Sequence, residues 1–109
     1  MEFSCEKINI TDSGIGVQVL FENLNGDSEL YFLIQKHFEE DEDDDKGSYI
    51  ETHDFDLAGH YLPKIKLGKS KCAFEFKNNR FVITYQIDAK KFRELETFLK
   101  ILGSVEIIN

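Results

Sequence analysis

The densest group of potential metal ligands in the chain is a run of seven consecutive carboxylates. A calcium loop of the EF-hand type needs oxygen ligands at alternate positions, a glycine at its sixth position and a glutamate at its twelfth. A loop that begins at Asp41 places Lys46 at the glycine position and Thr52 at the glutamate position. A loop that begins at Glu42 places Lys46 on a ligand position. The spacing therefore disfavours an EF-hand. A small metal-binding module for Ca²⁺ or Zn²⁺, or a metal-dependent enzyme, stays open as the alternative function, with Asp41, Asp43, Asp45 and Glu51 as its ligands.

Other catalytic and ligand-binding motifs are missing from the sequence. The histidines and cysteines do not show the spacings C-x-x-C, H-x-x-x-H or H-E-x-x-H that are typical of zinc sites. Gly14-Ile15-Gly16 lacks the third glycine of a dinucleotide-binding loop, and no G-x-S-x-G or G-K-[ST] occurs. A metal site built from His53, His60 and a carboxylate is the one further option. We therefore expect no enzymatic activity, no catalytic residue, no cofactor and no metal.

The acidic character of the chain is local. The 109 residues carry a net charge of −8, from 21 acidic and 13 basic residues. Without the run 39–45 the chain has 14 acidic residues against 13 basic ones. One loop therefore carries a field that attracts a basic partner and repels nucleic acid.

A basic cluster between positions 64 and 80 is the single argument for nucleic-acid binding. Phosphate binding depends on a basic field, which the overall charge of this chain does not provide. We therefore predict no nucleic-acid partner, and expect these side chains to balance nearby acids and to protect strand edges from pairing with other chains. The cluster consists of Lys64, Lys66, Lys69, Lys71, Lys77 and Arg80.

The N-terminal sequence MEFSCEKINI has acidic residues where a secretory signal would have basic ones, and it lacks the apolar segment of such a signal. No stretch of about 18 apolar residues occurs that could span a bilayer. These features predict a cytoplasmic protein without membrane contact, in which Cys5 and Cys72 are reduced and buried.

The elements that must position these residues are mostly strands. Apolar residues alternate along 71–77 and 80–87, and Asn78-Asn79 between them is suited to a tight hairpin turn. The segment LYFLIQ at 30–35 is apolar on both faces, which predicts a central strand covered on both sides. After Asp88 the period becomes helical and Gly103 stands at the position of a C-cap.

The remaining segments predict further strands at 2–10, 15–21, 48–55, 64–67 and 105–108, with a bulge near Glu6 and Lys7 and a turn at Asn25-Gly26-Asp27. The expected fold is α+β, with a mostly antiparallel sheet of about seven to eight strands and one C-terminal amphipathic helix packed on it. Residues 1–109 are predicted to form a single domain with an acidic loop at 38–47.

The order of these elements carries a resemblance to a known family. The sequence LYFLIQKHFEEDEDDDKGSYIETHDFDLAGHYLPKIKLGKSKCAFEF resembles the bacterial immunity proteins of the Imm-ten group, which are found beside polymorphic toxins. The shared features are an aromatic and aliphatic strand that ends in Gln35, an acidic loop, and a Tyr-x-Glu strand at Tyr49 and Glu51. A turn at Gly59, a nearby Tyr61, paired strands and a C-terminal helix follow, so the resemblance covers roughly residues 28–102.

The resemblance implies an immunity protein that binds and neutralises a cognate toxin and has no catalysis of its own. Many toxins that attack nucleic acid are basic, and an acidic loop can speed association with a basic partner by electrostatic steering. A solubilising loop without a role in binding is the other interpretation. The chain is expected to be a monomer or a homodimer. The partner-binding residues expected on these grounds are Glu39, Glu40, Asp41, Glu42, Asp43, Asp44, Asp45 and Glu51.

Overall fold

The computed structural model of the chain describes residues 2–23, 30–38 and 47–108. It contains two β-sheets and a C-terminal helix, so the fold class is α+β as predicted. The expected turn at Asn25-Gly26-Asp27 and the acidic run 39–45 lie outside the described residues.

The first sheet, here called the meander sheet, follows the chain order, since each strand pairs antiparallel with the next. The segment 30–35 lies in its central strand, as predicted, and its side chains Phe32 and Ile34 are fully buried. The predicted cover on its other face is wrong, because Tyr31, Leu33 and Gln35 are only half-buried. The strands are β2 (Lys7–Asp12), β3 (Gly16–Asn23), β4 (Leu30–His37), β5 (Ser48–Thr52) and β6 (Gly59–Tyr61).

The second sheet, here called the mixed sheet, has the strand order β1-β9-β8-β7-β10. Of its three inner strands, β8 pairs antiparallel with both β7 and β9, whereas both edge strands pair in parallel. The strands are β1 (Glu2–Ser4), β7 (Lys64–Leu67), β8 (Lys71–Phe76), β9 (Asn79–Thr84) and β10 (Ser104–Ile107).

Helix α1 (Ala89–Leu102) begins where the sequence predicts, because the Asp88 side chain accepts a hydrogen bond from the Lys91 N–H at 2.7 Å. At its other end Gly103 has an extended backbone. A side chain at Gly103 would lie 2.9 Å from the Pro63 carbonyl oxygen, so the glycine permits a close approach of two segments. Described residues form no helix that is long and apolar enough to cross a membrane.

The two sheets face each other across a core rich in phenylalanine, and α1 contributes Leu95, Leu99 and Leu102 to it. Every second side chain of each strand points into this core, and residues paired in register on neighbouring strands share the same face. Cys5 and Cys72 are free and buried in this core, as predicted, and burial raises the pKa of both thiols. The rings in the centre belong to Phe21, Phe32, Phe74, Phe76 and Phe81.

Three further details of the predicted fold are wrong. The described residues form ten strands in two sheets, not seven to eight in one, because alternation does not tell which sheet a strand joins. In place of the bulge predicted near Glu6 and Lys7, the chain passes from one sheet to the other at Cys5 and Glu6. The hairpin turn lies at Lys77-Asn78, one residue early, and both residues have positive φ, of 48° and 63°.

Candidate partner-binding face

The outward surface of the meander sheet combines tyrosine, leucine and carboxylate side chains. Because successive residues of a strand point to opposite faces, the strands that bury Phe32 and Ile50 inside present Leu33 and Glu51 outside. This surface is here called the tyrosine face. It consists of Gln18, Leu20, Glu22, Tyr31, Leu33, Gln35, Tyr49, Glu51 and His60.

Glu51 is held at the centre of the tyrosine face by two phenol groups. The Tyr49 hydroxyl donates to Glu51 Oε1 at 2.8 Å, and the Tyr31 hydroxyl donates to Oε2 at 2.9 Å. Tyr49 reaches Glu51 because the two residues stand two positions apart on β5. Tyr31 reaches it from the neighbouring strand β4. Each carboxylate oxygen therefore has a fixed donor, and the carboxylate plane is set before any partner arrives.

The two tyrosines remain protonated donors well above neutral pH. Burial, and then the hydrogen bond to Glu51, raises the pKa of Tyr31 to about 12. The hydrogen bond to Glu51 is the first cause of the raised pKa of Tyr49, followed by burial. In both cases the negative carboxylate opposes formation of a phenolate beside it.

Further contacts extend this network across the sheet. The Tyr49 ring meets the ring of His60 on β6 edge to face, with centroids 5.5 Å apart. At the other side, Asn9 Nδ2 donates to Glu22 Oε1 at 3.0 Å. Between the two lie Leu20 and Leu33, which pair in register and are only half-buried. Apolar and aromatic surface thus surrounds an oriented carboxylate.

This arrangement suits binding better than catalysis. Each Glu51 oxygen accepts one phenol hydrogen bond and retains a second lone pair, so the carboxylate can still accept a two-pronged guanidinium. Tyrosines with raised pKa values are weak bases and weak nucleophiles at neutral pH. Tyrosine is also enriched at protein interfaces, because its ring is large and its hydroxyl finds partners.

Of the eight residues predicted to bind a partner, Glu51 is the one that the structure describes. The seven acids of the run, Glu39 through Asp45, belong to the connection between β4 and β5, outside the described residues. Tyr49 could have been found from the sequence, since the Tyr-x-Glu spacing puts both side chains on one face of a strand. Tyr31 and His60 could not, because their places depend on the strand register.

The alternative metal ligands are not brought together in the described part of the chain, which contains no group of three histidine, cysteine or acidic side chains suited to a metal ion. His53 packs against the ring of Phe3, with centroids 6.4 Å apart, whereas His60 lies against Tyr49. Asp41, Asp43 and Asp45 are outside the described residues.

The basic cluster occupies the mixed sheet. Lys66 Nζ lies 3.7 Å from Glu75 Oε2, which agrees with the expectation that these lysines balance nearby acids. The expectation that they guard strand edges is wrong for Lys64 and Lys66 on β7 and for Lys71 on β8. The edges of the mixed sheet are β1 and β10, and β7 and β8 lie between them.

Comparison of the chain with protein-family models, with curated proteins and with solved structures returns no match.

Proposed function

We propose that this chain is an immunity protein that binds and neutralises a basic protein toxin, and that it presents the tyrosine face to that toxin. The observation that carries the proposal is the Glu51 carboxylate, oriented by Tyr31 and Tyr49 on an outward sheet surface. A preorganised carboxylate loses little freedom when it pairs with an arginine, so more of the pairing energy is available for binding.

The surroundings of Glu51 support the same function. Tyrosine and leucine side chains around a charged pair exclude water from it, as the neutral rim of an interface does. The acidic run leaves the same sheet between β4 and β5, and its seven charges would draw a basic toxin toward the surface. Steering by the run and docking on Glu51 are separate contributions, one to the association rate and one to the lifetime of the complex.

The experiment that tests the proposal is co-expression of the chain with a toxin domain encoded beside its gene. Host survival is measured first, and the affinity of the purified pair is measured by calorimetry. The native chain should protect the host. Glu51→Gln keeps the size of the side chain but removes its charge, and should weaken binding by about tenfold or more, as expected for a desolvated charge pair.

Glu75→Gln is the matched control, because Glu75 is also a half-buried acid on an outward sheet surface, but on the mixed sheet. Its binding should equal that of the native chain. Equal losses in the two variants would refute the tyrosine face as the binding surface. Failure of the native chain to protect against any neighbouring toxin would refute the function itself.

A further inference from the structure

Within the described part of the chain, strand β10 pairs its backbone on one side only. The Ser104 N–H donates to the Pro63 carbonyl at 3.2 Å, and the Ile108 N–H donates to the Leu67 carbonyl at 2.8 Å. In a parallel pair, alternate residues turn both of their backbone groups toward the neighbouring strand. Val105 and Ile107 therefore direct their N–H and C=O groups away from β7, and no described strand lies beyond β10 in the mixed sheet.

Apolar side chains are exposed beside this edge. Leu62 is 72% exposed, Ile107 46% and Ile101 40%, so three of the four exposed large apolar residues in the described part of the chain are near β10. Leu62 and Ile101 line a cavity of about 460 Å³ that also reaches Ser104 on β10. Such a volume accommodates one or two apolar side chains of a bound segment.

The charges that the described residues place around the cavity are mainly positive. Among the described residues that line it, Lys36, Lys64 and Lys66 stand against one acid, Glu106. Lys66 lies near Glu75, but within the described residues no ion pair engages Lys36 or Lys64. In a chain with a net charge of −8, the described residues thus form a local cationic site next to the edge of β10.

From these three observations we propose that the β10 edge, consisting of Leu62, Lys36, Lys64, Ile101 and Ser104–Ile107, binds an extended segment of a partner protein in which apolar and acidic residues alternate. The segment adds a strand to β10 through the backbone of Val105 and Ile107. Its apolar side chains enter the cavity against Leu62 and Ile101, and its carboxylates approach Lys36 and Lys64.

The chemistry of the cavity favours an acidic peptide over nucleic acid. Single-stranded nucleic acid binds where bases stack on aromatic rings, and the described residues that line this cavity include no aromatic side chain. The site is separate from the tyrosine face, because Lys36, its residue on the meander sheet, lies on the opposite face of β4 from Tyr31, Leu33 and Gln35. This inference therefore does not depend on the proposed toxin binding.

The test uses a fluorescein-labelled peptide, acetyl-Glu-Leu-Asp-Ile-Glu-Leu-Asp, and the intact chain, with fluorescence anisotropy as the readout. Saturable binding is expected. Lys64→Gln should weaken it by about twofold to fivefold, and Glu106→Gln should strengthen it by a similar factor, since these side chains are exposed. Lys90→Gln, which removes another exposed lysine at the start of α1, should leave the affinity unchanged.

Amide resonances locate the peptide independently of its affinity. Val105 and Ile107 should show the largest shifts on titration, and Leu62→Ser should reduce binding without loss of the fold, because Leu62 is exposed. The proposal is overturned if the peptide does not saturate, or if Lys90→Gln weakens binding as much as Lys64→Gln. It is also overturned if decanoate or oligothymidylate binds this edge and the peptide does not, or if the chain dimerises through β10 and excludes the peptide.

Discussion

The ring of Phe32 stacks on the ring of Phe74, with centroids 4.3 Å apart and planes inclined by 28°. Phe32 lies on β4 of the meander sheet and Phe74 on β8 of the mixed sheet, and both are fully buried. This pair therefore joins the two sheets in the middle of the core. Around it stand the rings of Phe21, Phe76 and Phe81.

Truncation of this contact should destabilise the fold more than any surface change. Phe32→Ala removes a buried ring and leaves a cavity, so we expect a loss of about 3–5 kcal/mol in the free energy of unfolding. Urea unfolding followed by circular dichroism measures it. Phe98→Ala, at a half-buried position on α1, is the control and should cost clearly less; equal losses would contradict a central role for the Phe32–Phe74 pair.

The second prediction concerns the hydroxyl of Ser48, which is buried and donates to the Leu102 carbonyl at 2.5 Å. This bond ties β5 to the last residue of α1. Ser48→Ala should leave that buried carbonyl without its donor, at a cost of about 1–3 kcal/mol in unfolding free energy. The exposed Ser70→Ala is the control. A neutral effect at Ser48 would show that water replaces the hydroxyl.

The third prediction follows from the raised pKa of Tyr31. Folding holds the Tyr31 proton more tightly than the unfolded chain does, so the associated stability is fully present below about pH 10, the ordinary phenol value. It is lost as the pH rises toward about 12. Ultraviolet titration of the phenolate should show a tyrosine that ionises near 12, and Glu51→Gln should lower that pKa. An unchanged titration in Glu51→Gln would mean that the Tyr31–Glu51 bond does not persist in solution.

The fourth prediction addresses the acidic run. Replacement of Glu39 through Asp45 by Ser and Gly should slow association with a basic toxin and flatten its salt dependence, because peripheral charges act mainly on the association rate. The dissociation rate should change little. Stopped-flow kinetics at low and moderate salt measure both rates. If the association rate is unchanged, the run is a solubilising connection.

A fifth prediction concerns metal ions. Calorimetric titration with Ca²⁺, Mg²⁺ and Zn²⁺ should show no binding tighter than about millimolar, because the acidic run fits neither register of a calcium loop. Tight binding of any one of them would restore the alternative of a metal-binding module. A variant with Asp41, Asp43 and Asp45 changed to Asn would then show whether the run supplies the ligands.

Local sequence patterns were sufficient for part of the fold. Alternation located β8 and β9, the two-sided apolar pattern located the central strand β4, and the change of period with Asp88 located α1. The division into two sheets and the parallel pairing of β10 with β7 depend on contacts between distant residues. Strand β6 is only three residues long, which is too short for a recognisable alternation of apolar and polar residues.

The sequence predicts those contacts of the candidate site that join residues close to each other in the chain. Glu51 and Tyr49 stand two residues apart, and their shared face follows from the strand period. Tyr31 is 20 residues from Glu51, and their hydrogen bond depends on how β4 and β5 are aligned. The sequence likewise does not predict which backbone groups of Val105 and Ile107 point away from β7, because this depends on which strand β10 joins.

The passage of the chain between sheets at Cys5 and Glu6 affects the order in which the protein can be assembled during synthesis. The meander sheet uses one continuous stretch, from Lys7 to Tyr61, and can form while later residues are still being made. The first strand, however, pairs with β9, where Glu2 lies beside Val82. Glu2–Ser4 can therefore form its strand pairs only after Asn79–Thr84 has left the ribosome. Pairing of these two distant segments should be a late and slow step of folding.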